Sequence, residues 1–108
     1  RPQSYELTGP LGTLVLEQLT LDHLFLGVDA ISATEGATAY NEGEASINQL
    51  MVARGRQVIV VADSSKLGRH AFARICEIRQ VDVLITDSGA DQAVVTEFTD
   101  AGIQVIRA

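Results

Sequence analysis

The sequence predicts an α/β domain built on a mostly parallel sheet with helices on both faces, Rossmann-like in its layering, and three observations lead there. An uninterrupted β-branched run, Val58-Ile59-Val60-Val61-Ala62, reads as a strand covered on both faces. Shorter apolar bursts at Leu24-Phe25-Leu26, Val81 to Thr86 and Ile103 to Ile106 read as further strands. Between them lie stretches with the three-and-four apolar spacing of helices. Strands alternating with helices in this way form parallel sheets through right-handed crossovers.

Taken in order, Leu11 to Leu19 places apolar residues at Leu11, Leu14, Val15, Leu16 and Leu19, the pattern of a helix with one buried face. Asp22 to Val28 follows as a strand, and Gly27 near its end marks a backbone that turns sharply. Residues 29–40 read as loop. Asn41 to Arg54 returns to helical spacing through Ala45, Ile47, Leu50, Met51 and Val52. Asn41 is its expected N-cap, with Glu42 and Glu44 in a first turn whose positive end favours carboxylates. Gly55 stops that helix, and Val58 to Ala62 is the next strand. Phe72 to Ile78 fits a short strand or an irregular segment. Val81 to Thr86 is a strand, Gln92 to Ala101 a helix stopped by Gly102, and Ile103 to Ile106 the last strand.

A chain of 108 residues, 46 % hydrophobic, suits one domain with one modest core. Its net charge of −6 argues against this segment gripping a phosphate backbone, which takes clustered Lys and Arg to displace counterions. The single Cys76 excludes an intramolecular disulfide, and no Cys/His spacing matches a zinc site, so no metal is expected. No apolar run approaches the roughly 20 residues that span a bilayer, and no leader pattern opens the chain. The expectation is a soluble, cytoplasmic protein with no membrane partner. The opening Arg1-Pro2-Gln3-Ser4 lacks an initiating Met, which leaves open a processed chain or a piece of a longer one.

In open parallel sheets, ligands bind beyond the carboxyl ends of the strands, where neighbouring loops diverge. That rule selects Gly27 to Ile31, Ala62 to Lys66 and Thr86 to Gly89. In Gly27-Val28-Asp29 a glycine exposes a carboxylate that can accept hydrogen bonds from sugar hydroxyls; the alternative is a turn Asp capping its own backbone. In Asp63-Ser64-Ser65-Lys66 a cation and two hydroxyls follow the most buried strand. Such a Lys serves a phosphate as a point charge, with hydroxyls and loop N–H groups adding direction; the alternative is an ordinary polar loop. Glu44 either faces the same crevice or stands at a solvated helix start. Asp82, Asp87 and Ser88-Gly89-Ala90-Asp91 read as caps and a helix entry, and His23 and His70 lack spacing partners for catalysis. There is neither a P-loop nor a Gly-x-Gly-x-x-Gly fingerprint.

Four segments together resemble the effector domain of DeoR-type transcriptional regulators: Leu21-Asp22-His23-Leu24-Phe25-Leu26-Gly27-Val28-Asp29-Ala30-Ile31-Ser32, Asn41 to Met51, Ala62-Asp63-Ser64-Ser65-Lys66-Leu67-Gly68, and Leu84-Ile85-Thr86-Asp87. Thr8-Gly9-Pro10 is similar to the Gly-Pro that precedes a helix in that family. The resemblance covers nearly the whole chain. It implies a sensor related in fold to ribose-5-phosphate isomerase, binding a phosphorylated sugar or related metabolite in a homo-oligomeric regulator. DNA contact is then expected only through an N-terminal helix-turn-helix outside these residues. Residues 1–108 would be a single partial sensor domain, because the family's earlier strands and their phosphate-holding loop have no match here.

The effector-binding set implied is Gly27, Asp29, Glu44, Asp63, Ser65 and Lys66, with no cofactor and no catalytic residue. Two departures bear on this. Ala30 stands where the family usually has Gly, so a methyl narrows the pocket or restricts the turn. Leu26 and Asn48 stand where the related isomerase carries acids, which removes proton-transfer groups and favours sensing over turnover. An isomerase-like enzyme and a pure oligomerisation module are the competing classes.

Overall fold

The computed structural model describes residues 21–108, so the helix expected over Leu11 to Leu19 lies outside the described residues. Strand β1 (Leu21–Gly27) runs into a hairpin of β2 (Ala30–Ser32) and β3 (Gly36–Ala39). Helix α1 (Glu42–Arg54) and strand β4 (Gly55–Val61) follow, then β5 (Ala73–Cys76), β6 (Val83–Thr86), helix α2 (Gln92–Asp100) and β7 (Gln104–Arg107). Short 3-10 turns occupy Ser64–Lys66 and Ile78–Gln80.

The strands form two sheets. The larger is four-stranded in the order β1-β4-β6-β7, every pair parallel, with Leu24 opposite Val58, Val60 opposite Leu84, and Leu84 opposite Val105. The smaller is an antiparallel three-stranded sheet, β2-β3-β5. The expected parallel architecture is therefore present, and the segment left open at Phe72 to Ile78 contains a strand.

The reading of residues 29–40 as loop is wrong. They hold two strands, in register from Ala30–Thr38 to Ser32–Gly36, and every residue of both strands is buried. Small residues explain the error. Ala30, Gly36, Ala37 and Ala39 carry little of the β-branched or aromatic signal by which strands are recognised.

One hydrophobic cluster joins these parts. It takes Leu24 and Leu26 from β1, Val58 and Val60 from β4, and Leu84 from β6, with Ala45 and Val52 of α1 and Val95 and Phe98 of α2 packed among them. Ile31, Ala37 and Ile75 bring the small sheet into the same cluster. Phe98 is fully buried, and its burial alone is worth about 1.5–3 kcal/mol. The alternate strand positions Phe25, Ile59, Val61, Val83 and Ile85 lie outside that cluster, and Phe25 is exposed. Among the described residues both helices thus pack into one cluster.

Helix α1 starts where expected: Asn41 is its N-cap, and its side-chain oxygen accepts from the Glu44 N–H at 2.9 Å. Helix α2 is capped by Asp91, whose carboxylate accepts from the Ala93 N–H at 2.9 Å. No described helix is long and apolar enough to cross a membrane.

Candidate functional site

Because β1, β4 and β6 are parallel neighbours, their carboxyl ends lie along one edge of the sheet and deliver Gly27-Val28-Asp29, Ala62-Asp63-Ser64 and Thr86-Asp87 side by side. Hydrogen bonds then tie the three loops together. Gly68 N–H donates to the Ile31 carbonyl at 2.8 Å beside a parallel bridge from Ile31 to Leu67, which joins β2, the strand after Asp29, to the β4 loop. Ser64 N–H donates to Asp87 Oδ2 at 2.8 Å, which joins the β4 and β6 loops.

Asp29 is half-buried, and its Oδ2 accepts from the Tyr40 N–H at 2.8 Å while its own N–H donates to the Thr38 carbonyl at 3.1 Å. The carboxylate therefore clasps the exit of β3 eleven residues away and is not a cap on its own turn. Its second oxygen has no hydrogen-bond donor among the described residues and stays available.

Gly27 meets its expectation in part. It is the last residue of β1, its backbone is not in the positive-φ region, and a Cβ there would meet nothing within 4 Å. The chain does bend two residues on, at Asp29, and at Gly27 itself the glycine leaves open space beside the strand end. Ala30 raises no difficulty either: it is a buried residue of β2 in ordinary extended backbone, so its methyl neither restricts a turn nor lines an open crevice.

In the β4 loop, Asp63 caps the 3-10 turn. Its Oδ1 accepts from the Ser65 N–H at 2.9 Å and from the Ser65 hydroxyl, and its Oδ2 lies 3.8 Å from Lys66 Nζ. The Ser65 hydroxyl, its N–H and then the Lys66 charge hold the Asp63 carboxyl below its ordinary value. The Lys66 side chain is still 40 % exposed, and at that separation its ammonium keeps donors free for an anion. Asp63 thus positions Ser65 and Lys66, while its own side chain stays exposed. Glu44 is half-buried in the first turn of α1, and no described residue pairs with its carboxylate.

Asp87 does what a turn Asp is expected to do, and more. Besides Ser64 it accepts from the Gly89 N–H at 2.8 Å, and these two donors, Ser64 first, hold its carboxyl below the ordinary value. Two features were not legible in the sequence. The Thr38 hydroxyl donates to the Ala30 carbonyl at 3.2 Å and accepts from the Ala71 N–H at 2.8 Å, fastening the segment before β5 to the hairpin. The Thr86 hydroxyl, at the end of β6, is buried without a partner among the described residues. Neither side chain belongs to a local pattern that would mark it.

Among the described residues no group of three or more His, Cys, Asp or Glu is placed to hold a metal ion. Cys76 is buried, and burial pushes its thiol up to about 11, far from a reactive thiolate. Leu26 is in the core and Asn48 half-buried on α1, so neither isomerase acid position bears an acid. An open groove of about 590 Å³ lies at the opposite, amino-terminal edge of the sheet, lined by Asp22, His23, Arg56, Gln57 and Asp82. It shares no residue with the strand-end site.

The family model described as the DeoR C-terminal sensor domain matches residues 1–88. The chain belongs to that family. Within the DeoR group it is 37 % identical over 106 residues to the HTH-type transcriptional regulator GlpR of Haloferax volcanii, covering 98 % of this chain and 42 % of that protein. It is 36 % identical to a putative aga operon transcriptional repressor of Escherichia coli, covering 98 % of this chain and 39 % of the relative. The HTH-type transcriptional repressor GlcR of Bacillus subtilis is 33 % identical over 98 residues, covering 88 % of this chain and 38 % of that repressor. The sensor domain described here therefore spans about two fifths of the length of the first two regulators it matches.

Proposed function

We propose that the chain is the effector-sensing part of a cytoplasmic, homo-oligomeric DeoR-type repressor, and that it binds a phosphorylated sugar or related metabolite at the carboxyl edge of β1 and β4. The observation that supports the reading is the Gly68–Ile31 hydrogen bond, which ties the strand following Asp29 to the turn following Lys66 and so keeps the two segments adjoining.

Lys66 faces the phosphate, on a loop that Asp63 holds through the Ser65 hydroxyl and N–H, and Ser65 reaches the ligand by exchanging its Asp63 bond for one to the phosphate; the second oxygen of Asp29 and the Glu44 carboxylate accept from sugar hydroxyls. The open space at Gly27 admits the ligand against the strand end. The metabolite acts on DNA binding only through different affinities for the DNA-competent and DNA-released states, and a hundredfold difference would shift their ratio by about 2.7 kcal/mol. DNA contact belongs to a part of the regulator outside this acidic segment. The positions of Leu26 and Asn48 support sensing over turnover.

The test is calorimetry on the full-length protein with a panel of sugar phosphates, run beside an assay for their isomerisation. Saturable binding that Lys66→Ala weakens at least tenfold, without turnover, is the expected result. Binding indifferent to Lys66→Ala, or no binding across the panel, overturns the assignment.

A further inference from the structure

Tyr40 and Phe72 are two of the most exposed large apolar side chains described, at 71 % and 76 % relative exposure. Their placement sets them apart. Ala39 of β3 pairs with Ala73 of β5 as the last rung of an antiparallel ladder, and Tyr40 and Phe72 are the residues next to that rung on the two segments, each at a bend.

Both backbones are fixed to the candidate site. The Tyr40 N–H is held by the Asp29 carboxylate at 2.8 Å. The Ala71 N–H, immediately before Phe72, is held at 2.8 Å by the Thr38 hydroxyl, which in turn donates to the carbonyl of Ala30, the residue after Asp29. Two aromatic residues are thus carried on backbone tied to Asp29 and to the residue that follows it. Aromatic side chains beside a few polar groups recur in small-molecule sites.

We propose that Tyr40 and Phe72 form an aromatic platform for the ring of a cyclic sugar phosphate, so that the site selects ring-form sugar phosphates over open-chain polyol phosphates. The inference rests on the proposed function, which supplies the phosphate contact at Lys66. A furanose or pyranose ring has C–H faces that pack on the negative face of an aromatic ring while its edge hydroxyls reach Asp29. An open-chain polyol has no such face and loses more rotational freedom when ordered. The platform therefore discriminates by shape where Lys66 does not, since both ligands carry the same phosphate.

The experiment pairs each aldohexose 6-phosphate (glucose, galactose, mannose) with the alditol phosphate made by reducing it, in calorimetry on the full-length protein. Ketohexose 1-phosphates extend the ring-forming set. The expected result is that the best ring-form ligand binds at least tenfold more tightly than its alditol. Tyr40→Ala and Phe72→Ala each weaken the ring form about five- to tenfold with little effect on the alditol, and Tyr40→Phe restores it. Lys66→Ala weakens both. Because the two aromatics are exposed, the variants keep the wild-type melting temperature. Equal affinity for ring and alditol, or ring binding within twofold of wild type in both alanine variants, overturns the platform and leaves the sensor reading intact. Failure of every sugar phosphate and alditol to bind removes the sensor reading and the platform with it.

Discussion

Gly36→Ala is expected to loosen the small sheet without touching the large one. Gly36 has φ +78°, and a Cβ there would lie 2.1 Å from the Cys76 carbonyl oxygen and 3.0 Å from Glu77 Cα. Non-bonded heavy atoms settle nearer 3.5 Å, so β3 must retreat from the end of β5 by roughly 1 Å or more. The left-handed backbone costs an alanine about 1–2 kcal/mol, and each ladder hydrogen bond lost at the Ala37–Cys76 pair costs about 1 kcal/mol. A local loss of about 2–4 kcal/mol follows, a large fraction of the 5–15 kcal/mol that holds a typical domain together. Amide hydrogen exchange on the full-length protein reads it directly. Peptides covering β3 and β5 should exchange about 30- to 1,000-fold faster, while those covering β4 and β6 hold their protection. Because β3 leads to Thr38 and Tyr40, sugar-phosphate affinity falls as well. Exchange in β3 and β5 within threefold of wild type refutes the steric argument.

Gly27→Ala makes the opposite case: with nothing near its Cβ and no positive φ, stability should change by less than about 0.5 kcal/mol in thermal melts, and a loss above 1 kcal/mol counts against the placement. Thr86→Val removes a buried hydroxyl that has no described partner and should be neutral or stabilising by about 1 kcal/mol; clear destabilisation would reveal a hidden partner. Asp63 and Asp87 have folded pKa values below their ordinary 3.8, so the stability they lend is fully present above that value and is lost as pH falls through the lower folded values. Melting temperature should therefore decline on acidification below about pH 4, and less steeply in Asp87→Asn; an identical acid profile in that variant argues against the Ser64 and Gly89 contacts.

What the sequence disclosed depended on how far each signal extends along the chain. Val58 to Val61 announced β4 because a central strand, flanked by β1 and β6, carries an unbroken β-branched run. Asn41 announced α1 because an N-cap acts within three residues. The β2-β3 hairpin was hidden because its strands hold three and four mostly small residues, whose burial comes from the neighbours they fold against. Gly27 announced the bend that follows at Asp29 but not the open space at its own position, since one residue type serves both. Strand-end logic placed Asp29 and Lys66 on one edge. The partners that fix them were illegible wherever they came from afar: Tyr40 for Asp29, and Asp87 for Ser64. The Asp63–Lys66 pair, three residues apart, was the local exception.

The strand-end site and the groove at the other end of the sheet offer a direct decision about where the metabolite binds. Hydrogen exchange of the full-length regulator, with and without a saturating sugar phosphate identified by calorimetry, separates them because the two ends share no residues. The account predicts added protection across residues 27–32, 40–44 and 62–68. Protection confined to segments around Asp22, His23, Arg56, Gln57 and Asp82 would contradict it.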